Sequence, residues 1–104
     1  MAKLFFFIER DDGAIAAFEN DGVSVPFYTD RAAATRAVQE WAGSGAGVGM
    51  FPSRQAQAFG ESCNRAGART LQMDVPLAEL KNRRVVYLDL ARARVSPVLD
   101  QNGS

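Results

Sequence analysis

The stretch VPFYTDRAAATRAVQEWAG, residues Val25–Gly43, decides how the rest of the chain is arranged. It predicts a strand that ends at Tyr28, a helix N-cap at Thr29 or Asp30, and an amphipathic helix stopped by Gly43. At about 100° per residue, one helix face gathers small residues first and a large one last. These residues are Ala34, Ala37, Val38 and Trp41. Such a face can lie close against a sheet and fill one corner of the core with the indole.

Three strands are predicted before this helix. The first, Lys3–Glu9, is apolar on both sides, which is typical of a central strand or of one covered on both faces. Two turns that end in glycine separate it from Ala14–Glu19 and Val23–Tyr28, so a meander is expected. Pro26 has no N–H group, so the third strand is expected at an edge, or with that position turned away from a neighbour.

Glycine occupies every second position from 43 to 49. A phosphate-binding loop is a poor interpretation, because the third glycine of that motif is out of register and the segment follows a helix. A flexible connection into a short strand at 47–51 is the better one. A second helix is predicted from the N-cap Ser53 to Gly67, with one apolar stripe. The stripe consists of Ala56, Phe59, Cys63 and Ala66. Strands at 69–75 and 84–90 follow, then an edge strand at 95–99.

The sequence therefore predicts one α+β domain over residues 1–100, with a frayed tail at 101–104. The element order is β-β-β-α-β-α-β-β, in a mixed or antiparallel sheet of roughly five to seven strands with two helices. Two helices are too few to cover both faces of such a sheet. If both lie on one face, Phe5 and Phe7 need a curled sheet or a second subunit as cover, so a two-fold homodimer is expected.

Charge and composition narrow the function classes. The 104 residues carry 12 basic and 12 acidic groups, which removes the electrostatic case for nucleic acid. The cancellation is uneven, since residues 1–50 carry more acids than bases and residues 51–104 the reverse. The single cysteine fits a reducing compartment, and no leader or membrane-spanning run is evident, so a cytoplasmic location is expected.

The usual catalytic groups are scarce. Histidine is absent, which removes the commonest general base and metal ligand. Cys63 falls late in its helix on the apolar stripe, which favours a buried structural thiol over a nucleophile. Acidic residues at the hairpin turns fit turn chemistry and do not supply the spacing of a calcium loop. We expect no catalytic residue, no metal and no cofactor.

Arginines in the second half of the chain form the least ordinary pattern. The candidate rim consists of Arg69, Arg83, Arg84, Arg92 and Arg94, together with Asp89. If the segment after residue 90 pairs beside 84–90, several guanidinium groups gather at one rim. That rim would bind an anionic ligand, an acidic protein surface or the acidic hairpins of a second copy. The alternative is a solvated face with ordinary ion pairs.

Four aromatic residues are candidates for a cleft or an interface: Phe5, Phe7, Tyr28 and Tyr87. The alternative is that most of them are core. The two tyrosines are the better cleft candidates, because each hydroxyl must reach water or a partner.

Residues 26–42, PFYTDRAAATRAVQEWA, resemble the strand-to-helix junction of several small bacterial α+β domains, some of them associated with secretion. The resemblance implies the local fold and carries no functional residue. The sequence thus predicts a small non-enzymatic binding or regulatory module that acts through protein–protein contacts as a homodimer. The alternative is a domain that binds a small molecule or an anion at the arginine rim, conceivably an enzyme.

Overall fold

The computed structural model describes residues 3–90, and these form a single α+β domain around one mixed sheet of six strands. The elements in chain order are β1 (Leu4–Arg10), β2 (Ile15–Glu19), β3 (Val23–Tyr28), α1 (Arg31–Ala37) with a π-helical turn (Val38–Ala42), β4 (Ala46–Pro52), a 3-10 turn (Ser53–Gln55), α2 (Ala56–Arg65), β5 (Thr70–Met73), α3 (Leu77–Leu80) and β6 (Val85–Leu88). The predicted fold class and order are confirmed, and the short α3 lies in residues 77–82, where the sequence leaves room for about one helical turn. The strand predicted at 95–99 and the tail at 101–104 lie outside the described residues.

β1 lies inside the sheet and pairs along both of its edges. On one edge, β4 runs antiparallel to it over its full length. The other edge is shared, because Glu9 pairs with Ile15 of β2 while Phe7 pairs with Phe27 of β3. The end of β2 and the start of β3, which are joined by a short turn, pair with each other. The sheet therefore forks beside β1, with β2 in one branch and β3 in the other.

The fork explains how Pro26 fits inside a sheet. β3 has partners on both sides, since β5 runs parallel to it along the edge away from the fork. On the fork side, Ser24 pairs with β2 and Phe27 pairs with β1, and Pro26 falls between the two pairings. The fully buried Pro26 is thus at a position where neither β1 nor β2 pairs with it. Of the two alternatives expected for this strand, the second is confirmed.

β2 is enclosed on both faces and on both edges. Residues 15–18 are all buried, and β6 runs antiparallel along the edge that β1 and β3 leave open. Its side chains alternate between two hydrophobic clusters. Ile15 and Ala17 belong to one cluster, and Ala16 and Phe18 belong to the other.

α1 covers the Phe18 face of the sheet. Asp30 caps the helix as predicted, accepting a hydrogen bond from the Ala32 N–H at 3.4 Å. The predicted face is the one that packs, with Ala34 and Ala37 buried. The π-helical turn carries the chain on to Gly43, whose φ of 87° ends the helical segment.

α2 covers the opposite face, above Phe7 and Phe51. Its predicted stripe packs against the sheet, with Cys63 fully buried. Gly67, at φ 118°, follows the helix end as expected. The two helices therefore divide between the two faces instead of sharing one. The sequence predicted a second subunit because one face of the sheet would lack a helix. Each face has a helix, so that reason for a dimer does not hold.

Candidate functional site

Two of the candidate arginines flank the turn between β2 and β3. Arg84 forms an ion pair with Glu19 at the end of β2. Arg69 donates a hydrogen bond to the Asp21 carbonyl at 2.6 Å, and its guanidinium lies 3.4 Å from the Asp21 carboxylate. The acidic turn that was considered as a partner from a second copy is thus bound by arginines of the same chain.

The remaining members of the predicted rim do not join this pair. The Arg83 carbonyl accepts a hydrogen bond from the Trp41 indole at 3.1 Å, and its guanidinium lies 3.7 Å from Glu79. Asp89 is exposed beyond the end of β6. Arg92 and Arg94 lie outside the described residues. Within residues 3–90, the structure brings two of the predicted arginines to one turn, each with an acidic partner.

Phe5 and Phe7 lie in a cluster of five phenylalanine rings. The rings of Phe5, Phe7, Phe27, Phe51 and Phe59 contact one another, with centroids 4.4–6.4 Å apart. Phe7 is buried beneath α2, whereas Phe5 is only partly buried. The cluster is the apolar core of the α2 face.

The two tyrosines lie on the α1 face. Tyr28 is buried, and its hydroxyl donates a hydrogen bond to the Val75 carbonyl at 3.2 Å. Burial, with a smaller effect from the Asp74 carboxylate, raises the pKa of Tyr28 to about 12. Tyr87 is partly buried, and the Arg10 guanidinium stacks 4.4 Å from its ring centroid.

Two concave regions of the described part of the chain bear on the anion-binding alternative. One, of about 230 Å³, lies between α1 and the segment after β5, with Tyr28, Arg36 and Asp74 in its wall. Another, of about 350 Å³, lies beside α2, with Glu9 and Phe59 in its wall. Neither contains the two arginines that an anion site of the predicted kind requires, and residues 3–90 hold no cluster of three metal-ligating side chains.

Cys63 is buried on the α2 face, among apolar neighbours. Burial raises the pKa of its thiol to about 12, because the thiolate would lose its hydration there. A thiol in this state is a poor nucleophile at neutral pH.

We therefore expect maleimide labelling of the folded protein at neutral pH to be slower than labelling in urea by roughly a hundredfold or more, since each pKa unit lowers the thiolate fraction about tenfold. Mass spectrometry over time measures the rate. The unfolded chain in urea is the control for reagent quality. Rapid stoichiometric labelling of the folded protein would show that Cys63 is reactive.

The open edge of β4 is a feature that the sequence analysis missed. The Ser53 N–H donates to the Lys3 carbonyl at 2.8 Å, and the Asp11 N–H donates to the Gly45 carbonyl at 3.0 Å. In an antiparallel ladder, every second residue bonds to the partner strand, so these two bonds show which residues of β4 bond to β1 and which do not. Three residues turn their backbone N–H and C=O groups away from β1: Ala46, Val48 and Met50.

No other strand within residues 3–90 pairs with that edge. The side chains of β4 itself are uncharged, and Met50 is 47% exposed. Charged groups of other elements lie nearby, since Arg10 pairs with Ala46 and Arg31 lies over the ring of Phe6, the partner of Met50. The sequence held one signal for this surface, which is the absence of charge from Trp41 to Ser53. The location of the strand at an edge depends on its partners and could not be inferred from that run.

None of the described helices is long and apolar enough to span a bilayer. Comparison with known proteins finds no family model, no curated protein and no solved structure that matches the chain.

Proposed function

We propose that this protein is a small non-enzymatic binding or regulatory module that acts through protein–protein contacts, by addition of a partner strand to the β4 edge. The observation that carries the proposal is the run of outward backbone groups at Ala46, Val48 and Met50. These groups lie on an uncharged strand of seven residues that pairs with β1 without a break and whose only proline is its last residue.

Open edges of this kind are normally protected. Lysine, internal proline, a bulge or a covering segment keeps edge strands from pairing with other chains. β4 has no charged side chain and pairs with β1 in unbroken register, and its terminal Pro52 leaves the three N–H groups intact. Strand addition would use these groups directly, since main-chain hydrogen bonds supply the affinity in that mode of recognition.

The charges of the described residues support a protein partner over an anionic ligand. Arg69 and Arg84 are already paired with acidic groups of the β2–β3 turn. A ligand at either arginine would have to displace its acidic partner, and neither of the two concave regions described above has more than one arginine in its wall. The proposal includes a cytoplasmic location, which the single buried cysteine supports, and homodimerisation, which the neutral β4 edge supports.

A synthetic peptide tests strand addition. The peptide has the sequence of residues 44–53, SGAGVGMFPS, and is titrated into isotopically labelled protein. At protein concentrations where the chain is monomeric, we expect saturable shift changes concentrated at the amides of Ala46, Val48 and Met50, because those N–H groups gain acceptors. Slower hydrogen exchange at the same three amides should accompany the shifts.

The control is the same peptide with methyl groups on alternate backbone nitrogens, which removes the donors that face the protein. It should bind much more weakly than the unmodified peptide. Absence of binding at millimolar peptide, or shift changes centred on another surface, would contradict the proposed function.

A further inference from the structure

We infer that the strand that occupies the β4 edge is β4 of a second copy of this chain, paired antiparallel about a two-fold axis at Val48. The inference rests on the proposed function and names the partner at the same edge. It concerns the described residues of β4 and the turns at its two ends.

The backbone selects this register. Antiparallel pairing bonds outward residues to outward residues, so Val48 meets Val48 of the second copy and Ala46 meets Met50. Every outward N–H group of the three residues then faces a carbonyl. A register shifted so that Ala46 faces Pro52 instead of Met50 loses a hydrogen bond, because Pro52 has no N–H to donate. Sliding the other way requires pairing beyond Gly45, whose φ of 85° ends the extended backbone.

The side chains fit the same register. Ala46, Val48 and Met50 share the α1 face of the sheet, since their partners on β1 include Ile8 and Phe6. Opposite residues in an antiparallel pair project to the same face. The long, exposed Met50 therefore meets the small Ala46 of the second copy, and two β-branched valines meet at the axis.

β4 itself carries no charge that would oppose self-pairing. A two-fold axis brings like residues together, which penalises any strand that carries charge at its centre. The run from Ala42 to Ser53 has no charged side chain. The contact should consequently persist at high salt, because screening weakens only contacts between charges.

Sedimentation velocity over a range of protein concentrations, at low and at high salt, tests the dimer. We expect a concentration-dependent shift from an 11.3 kDa species to one of twice that mass at both salt levels. Met50→Lys should raise the dissociation constant at least tenfold. Met73→Lys is the matched control, since Met73 is 55% exposed on β5 at the opposite edge, and it should leave the constant unchanged.

Cysteine cross-linking tests the register. Val48→Cys should form an intermolecular disulfide under mild oxidation, because Cα atoms of a hydrogen-bonded pair lie about 5.5 Å apart. Ala46→Cys should not, since its two copies are offset by about 13 Å along the strands. Cys63 is buried and does not interfere.

The outcomes separate the inference from the proposed function. A chain that stays monomeric up to millimolar concentration would overturn self-pairing of the folded chain. Binding of the β4 peptide to that monomer would still support strand addition, with the strand supplied by another protein. A dimer that Met50→Lys does not weaken, or cross-linking by Ala46→Cys in place of Val48→Cys, would also overturn it. Concentration-dependent dimerisation with the expected cross-link would support it.

Discussion

Gly49→Ala is expected to destabilise the protein by about 3 kcal/mol, at the upper end of the cost of overpacking a core. A Cβ at Gly49 would lie 2.4 Å, 2.7 Å and 2.9 Å from three atoms of the Phe7 ring. The ring has little room to retreat, because Phe51 and Phe59 pack against it on the same face. The measurement is the free energy of unfolding from urea denaturation.

Gly47→Ala is the matched control. Gly47 lies two residues earlier on β4 and on the same face, and a Cβ there would meet nothing within 4 Å. Its φ is outside the positive range that favours glycine, so alanine should be neutral or stabilise by up to about 1 kcal/mol through the unfolded state. Equal effects of the two changes on the free energy of unfolding would show that overlap with the Phe7 ring does not cause the destabilisation.

Trp41→Ala is expected to cost about 3 kcal/mol, which threatens the folding of a domain of this size. The indole packs edge-on against the fully buried Phe18 at 6.4 Å between centroids, and its N–H donates to the Arg83 carbonyl at 3.1 Å. Part of the indole remains exposed, so the cost falls at the lower end of the range for removing a tryptophan. Chemical denaturation measures it.

Trp41→Phe separates the two contributions, since it keeps an aromatic ring and removes the donor. It should cost about 1 kcal/mol for the lost hydrogen bond, plus a smaller packing loss. Intrinsic fluorescence gives an independent check on the wild-type protein. An emission maximum typical of a fully hydrated indole would contradict the packing of Trp41.

Most features that depend on one residue and its near neighbours could be predicted from the sequence. The N-cap predicted at Ser53 is wrong, because Ser53 begins a 3-10 turn and the residue before α2 is Gln55. Asp30 caps α1 because its carboxylate reaches a free N–H two residues later. Gly43 and Gly67 end helical segments because they adopt positive φ without a steric cost. The one-sided stripes of both helices also pack as expected, since burial follows helical periodicity.

Features that depend on distant partners could not be predicted. Both helices carry an apolar stripe, and nothing local to either one specifies a face of the sheet. The fork beside β1 arises because Glu9 and Phe7, on the same edge, find partners in different strands. The sequence allowed Pro26 either an edge strand or a position turned away from a neighbour, and the fork decides for the second, since β3 has partners on both sides.

The candidate site also combines local features, which the sequence predicts, with contacts between distant residues, which it does not. Alternation along the chain locates Arg84 just before a strand, but only the pairing of β2 with β6 brings it to Glu19. The glycines of β4 leave space beside the strand, but the sequence does not identify the neighbour that fills it. At Gly49 that neighbour is a side chain, the ring of Phe7, which lies on the paired strand.

The pairing of β2 with β6 has a consequence for how the chain is made. Ile15 lies opposite Leu88, and Phe18 lies opposite Val85, so the strand that closes β2 is synthesised roughly 70 residues after it. A contact at this separation forms late, because the entropy of closing a long loop is lost before the contact contributes any stability. Until then a growing chain carries an apolar strand with one edge open, a form that aggregates readily. The open edge of β2 therefore persists until β6, the last of the described strands, has been synthesised.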